Sequence, residues 1–192
     1  MVTTGSKYNT VQGNYIGTDV SGTRKVANGW YGVEISQHDN LVGGTTAAAR
    51  NVISGNGMDG VTLYLSTGTK DLGNAWAGVS ITNDASHNTV GGSTAAAMNV
   101  ISGNDGYGVG IYNHSTYNTV QGNCIGICAA GYSLPNTKNP ISIWISDHNS
   151  ILSNKIVISS AVKTQIMISS GLTTTVKDNS LYGTVATGLK VI

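Results

Sequence analysis

The sequence repeats itself, and the repeat spacing restricts the chain to a stack of similar turns. Gln37–Leu65 recurs at Ala85–Asn113 with an offset of 48. Both copies carry Val-Gly-Gly, a triple alanine (Ala47–Ala49, Ala95–Ala97) and Asn-Val-Ile-Ser-Gly-Asn (Asn51–Asn56, Asn99–Asn104). A second block, Tyr8–Asn14, recurs at Tyr117–Asn123, each copy followed by Ile-Gly. Within these blocks a finer motif, Asn, three residues, then Gly-Val-x-Ile/Leu, occurs at Asn28–Ile35, Asn56–Leu63, Asn74–Ile81 and Asn104–Ile111. Degenerate forms follow at Ile141–Ile145, Ile166–Ile168 and Leu189–Ile192.

The local period inside each motif is two, the signature of short strands. Val33/Ile35, Val61/Leu63, Val79/Ile81 and Val109/Ile111 point one way, and Glu34, Thr62, Ser80 and Gly110 the other. Between most successive copies lie two further short strands, of the Asn-Thr-Val-Gln-Gly and Tyr-Ile-Gly types. Three strands per turn without a helix-period segment predict a coil whose stacked turns bury ladders of Val, Ile and Leu. Asn14, Asn123, Asn154 and Asn179 mark one corner of the turn; Asn28, Asn56, Asn74 and Asn104 mark another. Asparagine tolerates left-handed backbone there, and its amide can bond the asparagine one turn away.

Seven turns are predicted, and one is short. Asn9 to Asn40 spans 31 residues and Asn88 to Asn118 spans 30, but Asn40 to Asn88, which should hold two turns, spans 48. The segment Ser66–Ile81 matches Gly22–Ile35 but lacks the preceding strand pair. A minimal third turn follows, with Leu65 and Leu72 turned inward in place of the missing strands.

Composition agrees. Glycine occurs 26 times, asparagine 19 and threonine 22, with one glutamate, no phenylalanine and only 10% charged residues. Such a chain lacks the residues that favour long helices. A net charge of +1 offers no basic field for nucleic acid or an anionic membrane. No run is long enough to span a membrane, and no signal peptide is present in this chain. Cys124 and Cys128 would lie about 13 Å apart in an extended segment, too far to bond to each other, and zinc ligands around them are lacking. One domain over residues 1–192 is expected, its ends without caps, so that self-association through an end or a lateral face is expected as well.

These motifs resemble the right-handed parallel β-helix repeats of the pectin-lyase-like superfamily. They are most similar to the Asn-Val-Ile-Ser-Gly-Asn and Asn-Thr-Val-Gln-Gly-Asn repeats of bacterial secreted or surface proteins. The resemblance covers roughly residues 8–192 and weakens after Gly126, where Asn139-Pro140 interrupts the Gly-Val motif. It implies a secreted or cell-surface location, and polysaccharide chemistry on the outer face of the Gly-Val-x-Ile strand.

Hydrolases of that superfamily carry aspartates before this strand on successive turns, plus Gly-His-Gly. Here the corresponding residues are Tyr31, Asp59, Ala77 and Tyr107, so Asp59 stands alone, with outward-facing Glu34 one turn away as its only candidate partner. Glycoside hydrolysis needs two carboxyl groups at a set separation. The remaining acids are scattered singly, without calcium-ligand spacing, and no metal or other cofactor is expected. The corner column Tyr8, Asp39, His87, Tyr117 and His148 reads as exposed corner residues.

Aromatic residues carry the stronger functional signal. Trp30, Met58 and Trp76 fall two residues after the corner asparagine in successive turns; Tyr64, Tyr112 and Trp144 fall just past the third strand on its outward parity. An exposed aromatic row on a rigid platform suits stacking on sugar rings. Alternatively the segments Thr18–Ala27 and Cys128–Asn139 fold over these rings. The sequence thus points to a non-catalytic scaffold or adhesion module with a candidate polysaccharide-binding face at Trp30, Trp76, Tyr64, Tyr112 and Trp144. The alternative is a hydrolase or lyase using Asp59 and Glu34.

Overall fold

The computed structural model describes residues 8–35, 39–43, 46–49, 51–63, 74, 76–94, 98–126, 135–158, 162, 164–169, 173–183 and 187–192. Within them the chain runs through 19 short strands in three sheets, every strand pair inside a sheet parallel. Each full turn contributes one strand to each sheet.

Turn one holds β1 (Thr10–Val11), β2 (Tyr15–Ile16) and β3 (Val33–Ile35). Turn two holds β4 (Leu41–Val42), β5 (Val52–Ile53) and β6 (Val61–Leu63). Turn three contributes β7 (Val79–Ile81). Turn four holds β8 (Thr89–Gly91), β9 (Val100–Ile101) and β10 (Val109–Tyr112). Turn five holds β11 (Thr119–Gln121), β12 (Cys124–Ile125) and β13 (Ile141–Trp144). Turn six holds β14 (Ser150–Leu152), β15 (Lys155–Val157) and β16 (Thr164–Ser169). Turn seven holds β17 (Thr175–Lys177), β18 (Ser180–Tyr182) and β19 (Thr187–Val191).

The predicted alternation places one face of every strand inside. In the third-strand sheet Val33, Val61, Val79, Val109, Ile141 and Ile166 stand in one register column, and Ile35, Ile81, Ile111, Ile143 and Ile168 belong to the next. Val42, Val90, Val120 and Ile151 form the ladder of the first sheet, and Ile101, Ile125 and Ile156 that of the second. All of these except half-buried Val33 are buried in one cluster. Full burial of each such side chain is worth about 1.5–3 kcal/mol, so the ladders supply the main favourable term. Cys124 is buried, and that burial pushes its thiol up; Cys128 lies outside the described residues.

The corners are held by three asparagine ladders, one more than the sequence motifs marked. In the first, Asn9, Asn40, Asn88, Asn118 and Asn149 follow one another, each backbone N–H donating to the next Oδ1. The second runs Asn14, Asn51, Asn99, Asn123, Asn154 and Asn179, and the third Asn28, Asn56, Asn74, Asn104 and Asn136. Most rungs add a side-chain bond, such as Asn123 Nδ2 to Asn154 Oδ1 at 3.0 Å. The residue preceding a ladder asparagine turns left-handed: Tyr8, Asp39, His87, Tyr117 and His148 all have φ between 51° and 59°. Each such residue costs about 1–2 kcal/mol, which the ladder bonds offset.

The third turn is short, as its spacing predicts. β7 lies between β6 and β10, but β4 pairs directly with β8 and β5 directly with β9. One sheet therefore has seven strands and the other two have six. The 48-residue sequence offset is the hydrogen-bond offset of the skipped rungs, Asn40 to Asn88 and Asn51 to Asn99. Pairing thins where the rungs are skipped. Asn51 N–H to Asn99 Oδ1 stretches to 3.4 Å against 2.9 Å for Asn123 to Asn154, and β5 meets β9 through one residue pair. Leu65 and Leu72 lie outside the described residues.

Asn123 is fully buried, and its amide accepts from Asn99 Nδ2 and donates to Val90 O and Asn154 Oδ1. Asn123→Ala leaves these groups without partners in the interior. It is expected to lower unfolding stability by about 2–4 kcal/mol in urea titration, whereas Asn14→Ala, at the exposed start of the same ladder, costs under about 1 kcal/mol.

Candidate functional site

Strand register sets the outer face of the seven-stranded sheet. Glu34, Thr62, Ser80, Gly110, Ser142, Met167 and Lys190 form one outward column. Thr62 and Ser142 belong to it yet are buried, so other side chains cover this face. Gly110 explains part of the cover. A Cβ at that position would collide with the ring of Tyr112 and its hydroxyl, so the ring lies back across its own strand. Tyr107 packs edge-on against it, ring centroids 6.0 Å apart. The Tyr112 hydroxyl is shut off from solvent and has no hydrogen-bond partner among the described residues. Burial pushes this phenol far above the ordinary tyrosine range, with Tyr107 and Asp59 adding to the rise. The Ser142 side chain opposes it weakly, without hydrogen-bond geometry.

A second column follows from the third asparagine ladder. Two residues beyond its asparagines stand Trp30, Met58, Trp76, Gly106 and Lys138. Gly106 leaves a gap, where a Cβ would strike the Trp76 backbone. Over this gap Lys138 Nζ reaches back across two rungs, to 5.5 Å from the Trp76 ring centroid and 5.2 Å from that of Tyr107.

Asp59 links the second turn to the shortened third. One carboxylate oxygen accepts from the Thr62 hydroxyl at 2.8 Å, the other from the Ala77 N–H at 2.9 Å. Burial raises its carboxyl above the usual value, against the opposing effect of those two bonds. The bond to Ala77 fixes the backbone beside Trp76 from below.

These columns enclose a groove of about 410 Å³, lined chiefly by Met58, Asp59, Trp76, Tyr107, Tyr112 and Lys138, with Trp144 at its edge. Of the residues selected from sequence, Asp59, Trp76, Tyr112 and Trp144 meet here; Glu34 and Trp30 do not line it, and Tyr64 lies outside the described residues. Trp30, Trp76 and Trp144 are 63%, 50% and 56% exposed, so no described segment folds over them. Tyr112, expected in the outward row, is tucked inward because Gly110 carries no side chain. Sequence reasoning missed Tyr107 and Lys138. Extending the column of Trp30, Met58 and Trp76 by two more turns would have reached Lys138.

Elsewhere the outer corner of the first ladder stacks rings, His87 on Tyr117 at 5.2 Å and Tyr117 on His148 at 5.1 Å. Asp147 lies 3.7 Å from the His148 ring. Among the described residues no three His, Cys, Asp or Glu side chains converge as metal ligands would.

No protein-family model and no curated protein matches the sequence. Two solved structures are similar in fold. The A-module of the Azotobacter vinelandii mannuronan C-5 epimerase AlgE4 superimposes with a TM-score of 0.58 at 14% identity, over 86% of this chain and 53% of that one. The A-module of AlgE6 from the same organism gives 0.54 at 14% identity, over 86% of this chain and 46% of that one. The chain is a right-handed parallel β-helix. It spans about half the length of the β-helix structures it matches, and at this identity the likeness is one of fold.

Two outcomes test the site geometry. Gly110→Ser evicts the Tyr112 ring, so Tyr112 should ionise at markedly lower pH than in the wild type when followed by tyrosine ring NMR. Because folding raises the Asp59 carboxyl, its protonated form favours the fold; that contribution is complete below the unfolded value and lost as pH rises through the raised one. Wild-type stability relative to Asp59→Asn should therefore fall as pH rises above the ordinary carboxylate value of 3.8, measured by thermal unfolding at constant ionic strength.

Proposed function

We propose that this chain is a non-catalytic β-helix module that binds a polysaccharide along the groove at Trp76, Tyr107, Tyr112 and Trp144, as part of a secreted or cell-surface protein. The observation that carries this reading is the groove itself. Aromatic faces stand beside hydrogen-bonding groups on a sheet whose strands are fixed by ladders on either side. Sugar rings present apolar C–H faces and a rim of hydroxyls, which such a surface complements. The matched epimerase modules are named for mannuronan, a polysaccharide, and this supports carbohydrate as the ligand class on a scaffold of this shape.

The competing reading, a hydrolase or lyase built on Asp59 and Glu34, draws less support. Hydrolysis of a glycosidic bond calls for two carboxyl groups across the scissile bond. Asp59 is the single carboxylate lining the groove among the described residues, and both its oxygens already accept protein hydrogen bonds.

A glycan array followed by calorimetry on the best hits tests the proposal. Trp76→Ala and Trp144→Ala should each weaken binding about tenfold or more. Hits unchanged in both variants would remove the groove as the binding site. Release of reducing ends or unsaturated uronates from a bound polymer would overturn the non-catalytic part.

A further inference from the structure

The aromatic faces of the groove are not bare. Lys138 lies across Trp76 and Tyr107, 5.5 Å and 5.2 Å from their ring centroids, and it gets there because Gly106 leaves the rung between them empty. Among the described residues no carboxylate stands within ion-pair distance of Lys138. Asp59, which lines the same groove, has its oxygens engaged by Thr62 and Ala77. The ammonium is therefore held by ring quadrupoles on the surface that a sugar would stack upon.

We propose that Lys138 is a displaceable cap that sets the specificity of the groove, disfavouring neutral sugars and admitting sugars that carry an anionic group. This rests on the polysaccharide reading above. A neutral ring stacking on Trp76 must push the ammonium off two aromatic faces and receives no compensating contact from it. A sugar carboxylate beside the same ring gives the displaced ammonium a charge-assisted hydrogen bond.

A matched pair of probes isolates the cap: β-1,4-mannohexaose and the β-1,4-mannuronate hexamer differ only in bearing a hydroxymethyl or a carboxylate on each ring. Calorimetry on the full chain compares wild type, Lys138→Ala and Lys138→Arg. The wild type should prefer the mannuronate hexamer. Lys138→Ala should gain about 3- to 30-fold for mannohexaose and lose a similar factor for the mannuronate hexamer, while Lys138→Arg keeps the wild-type order. Equal mannohexaose affinity in wild type and Lys138→Ala overturns the cap and leaves the polysaccharide reading standing. Failure of all three proteins to bind either hexamer or any arrayed glycan removes that reading, and the specificity role with it. In the free protein the Lys138 ε-methylene protons should resonate upfield under the Trp76 ring current and return in Trp76→Ala. Unshifted protons in the wild type would overturn the cap whatever the glycan result.

Discussion

A buried primary amide must have its hydrogen bonds satisfied, and in this coil it finds most of them one turn away. The ladder asparagines from Asn40 to Asn154 are almost wholly buried. Most backbone N–H groups reach the Oδ1 of the next asparagine, and most amide groups also bond the neighbouring side chain or a backbone carbonyl. A slip of one residue would strand these groups at a cost of about 1–3 kcal/mol each, multiplied along three corners. Register is therefore fixed by polar satisfaction as much as by the alternation of Val and Ile. Every position at a set distance from a ladder asparagine then becomes a straight column on the outside. The groove is assembled from such columns.

The shortened third turn acts within the same constraint. Two ladders skip it, rejoining at Asn40–Asn88 and Asn51–Asn99, whereas the third includes it through Asn56, Asn74 and Asn104. The effect is to insert one strand, β7, and with it Trp76, into one side of the coil. Strands in a sheet lie about 4.8 Å apart, so that side is taller by about one spacing over the interval where the others are not. Around the short turn the rungs of all three ladders are long, 3.2 Å from Asn40 to Asn88, 3.4 Å from Asn51 to Asn99 and 3.3 Å from Asn56 to Asn74. Asp59, bonded to the Ala77 N–H, supplies a cross-turn contact where the third turn begins its strand. The site thus sits where the coil is least regular, on the one sheet that stays continuous.

Sequence revealed the coil, its three strands per turn and the short turn because all three are matters of spacing, and spacing survives substitution of individual residues. The exposed positions of Trp76 and Trp144 were legible for the same reason. The direction of the Tyr112 ring was hidden. Strand parity sends its Cβ outward, but the side-chain torsions decide whether the ring stands up or lies down, and the deciding fact was the missing Cβ two residues earlier at Gly110. Lys138 was hidden by the break at Asn139-Pro140, which erases the Gly-Val motif although Asn136 keeps the ladder running. The spacing of Asn9, Asn40, Asn88 and Asn118 counts the turns, but the bonds that join them into a ladder are legible only in the structure.

The scarcity of charge has a different meaning in the groove than along the chain as a whole. Ten basic and nine acidic residues are few for 192, and the stack accounts for most of that, since its corners want Asn and Gly and its strands Val and Ile. In the groove the two charged side chains have divided tasks. Asp59 is turned to the protein, its oxygens accepting from Thr62 and Ala77, so its hydrogen bonds serve the joint between turns. Lys138 is turned to the rings and, among the described residues, bonds no acid. A catalytic pair would need both groups directed at one substrate bond, with pKa values pushed apart to give an acid and a base. Here one group is committed to structure and the other rests on aromatic carbon, which is the arrangement the proposed displaceable cap is built on.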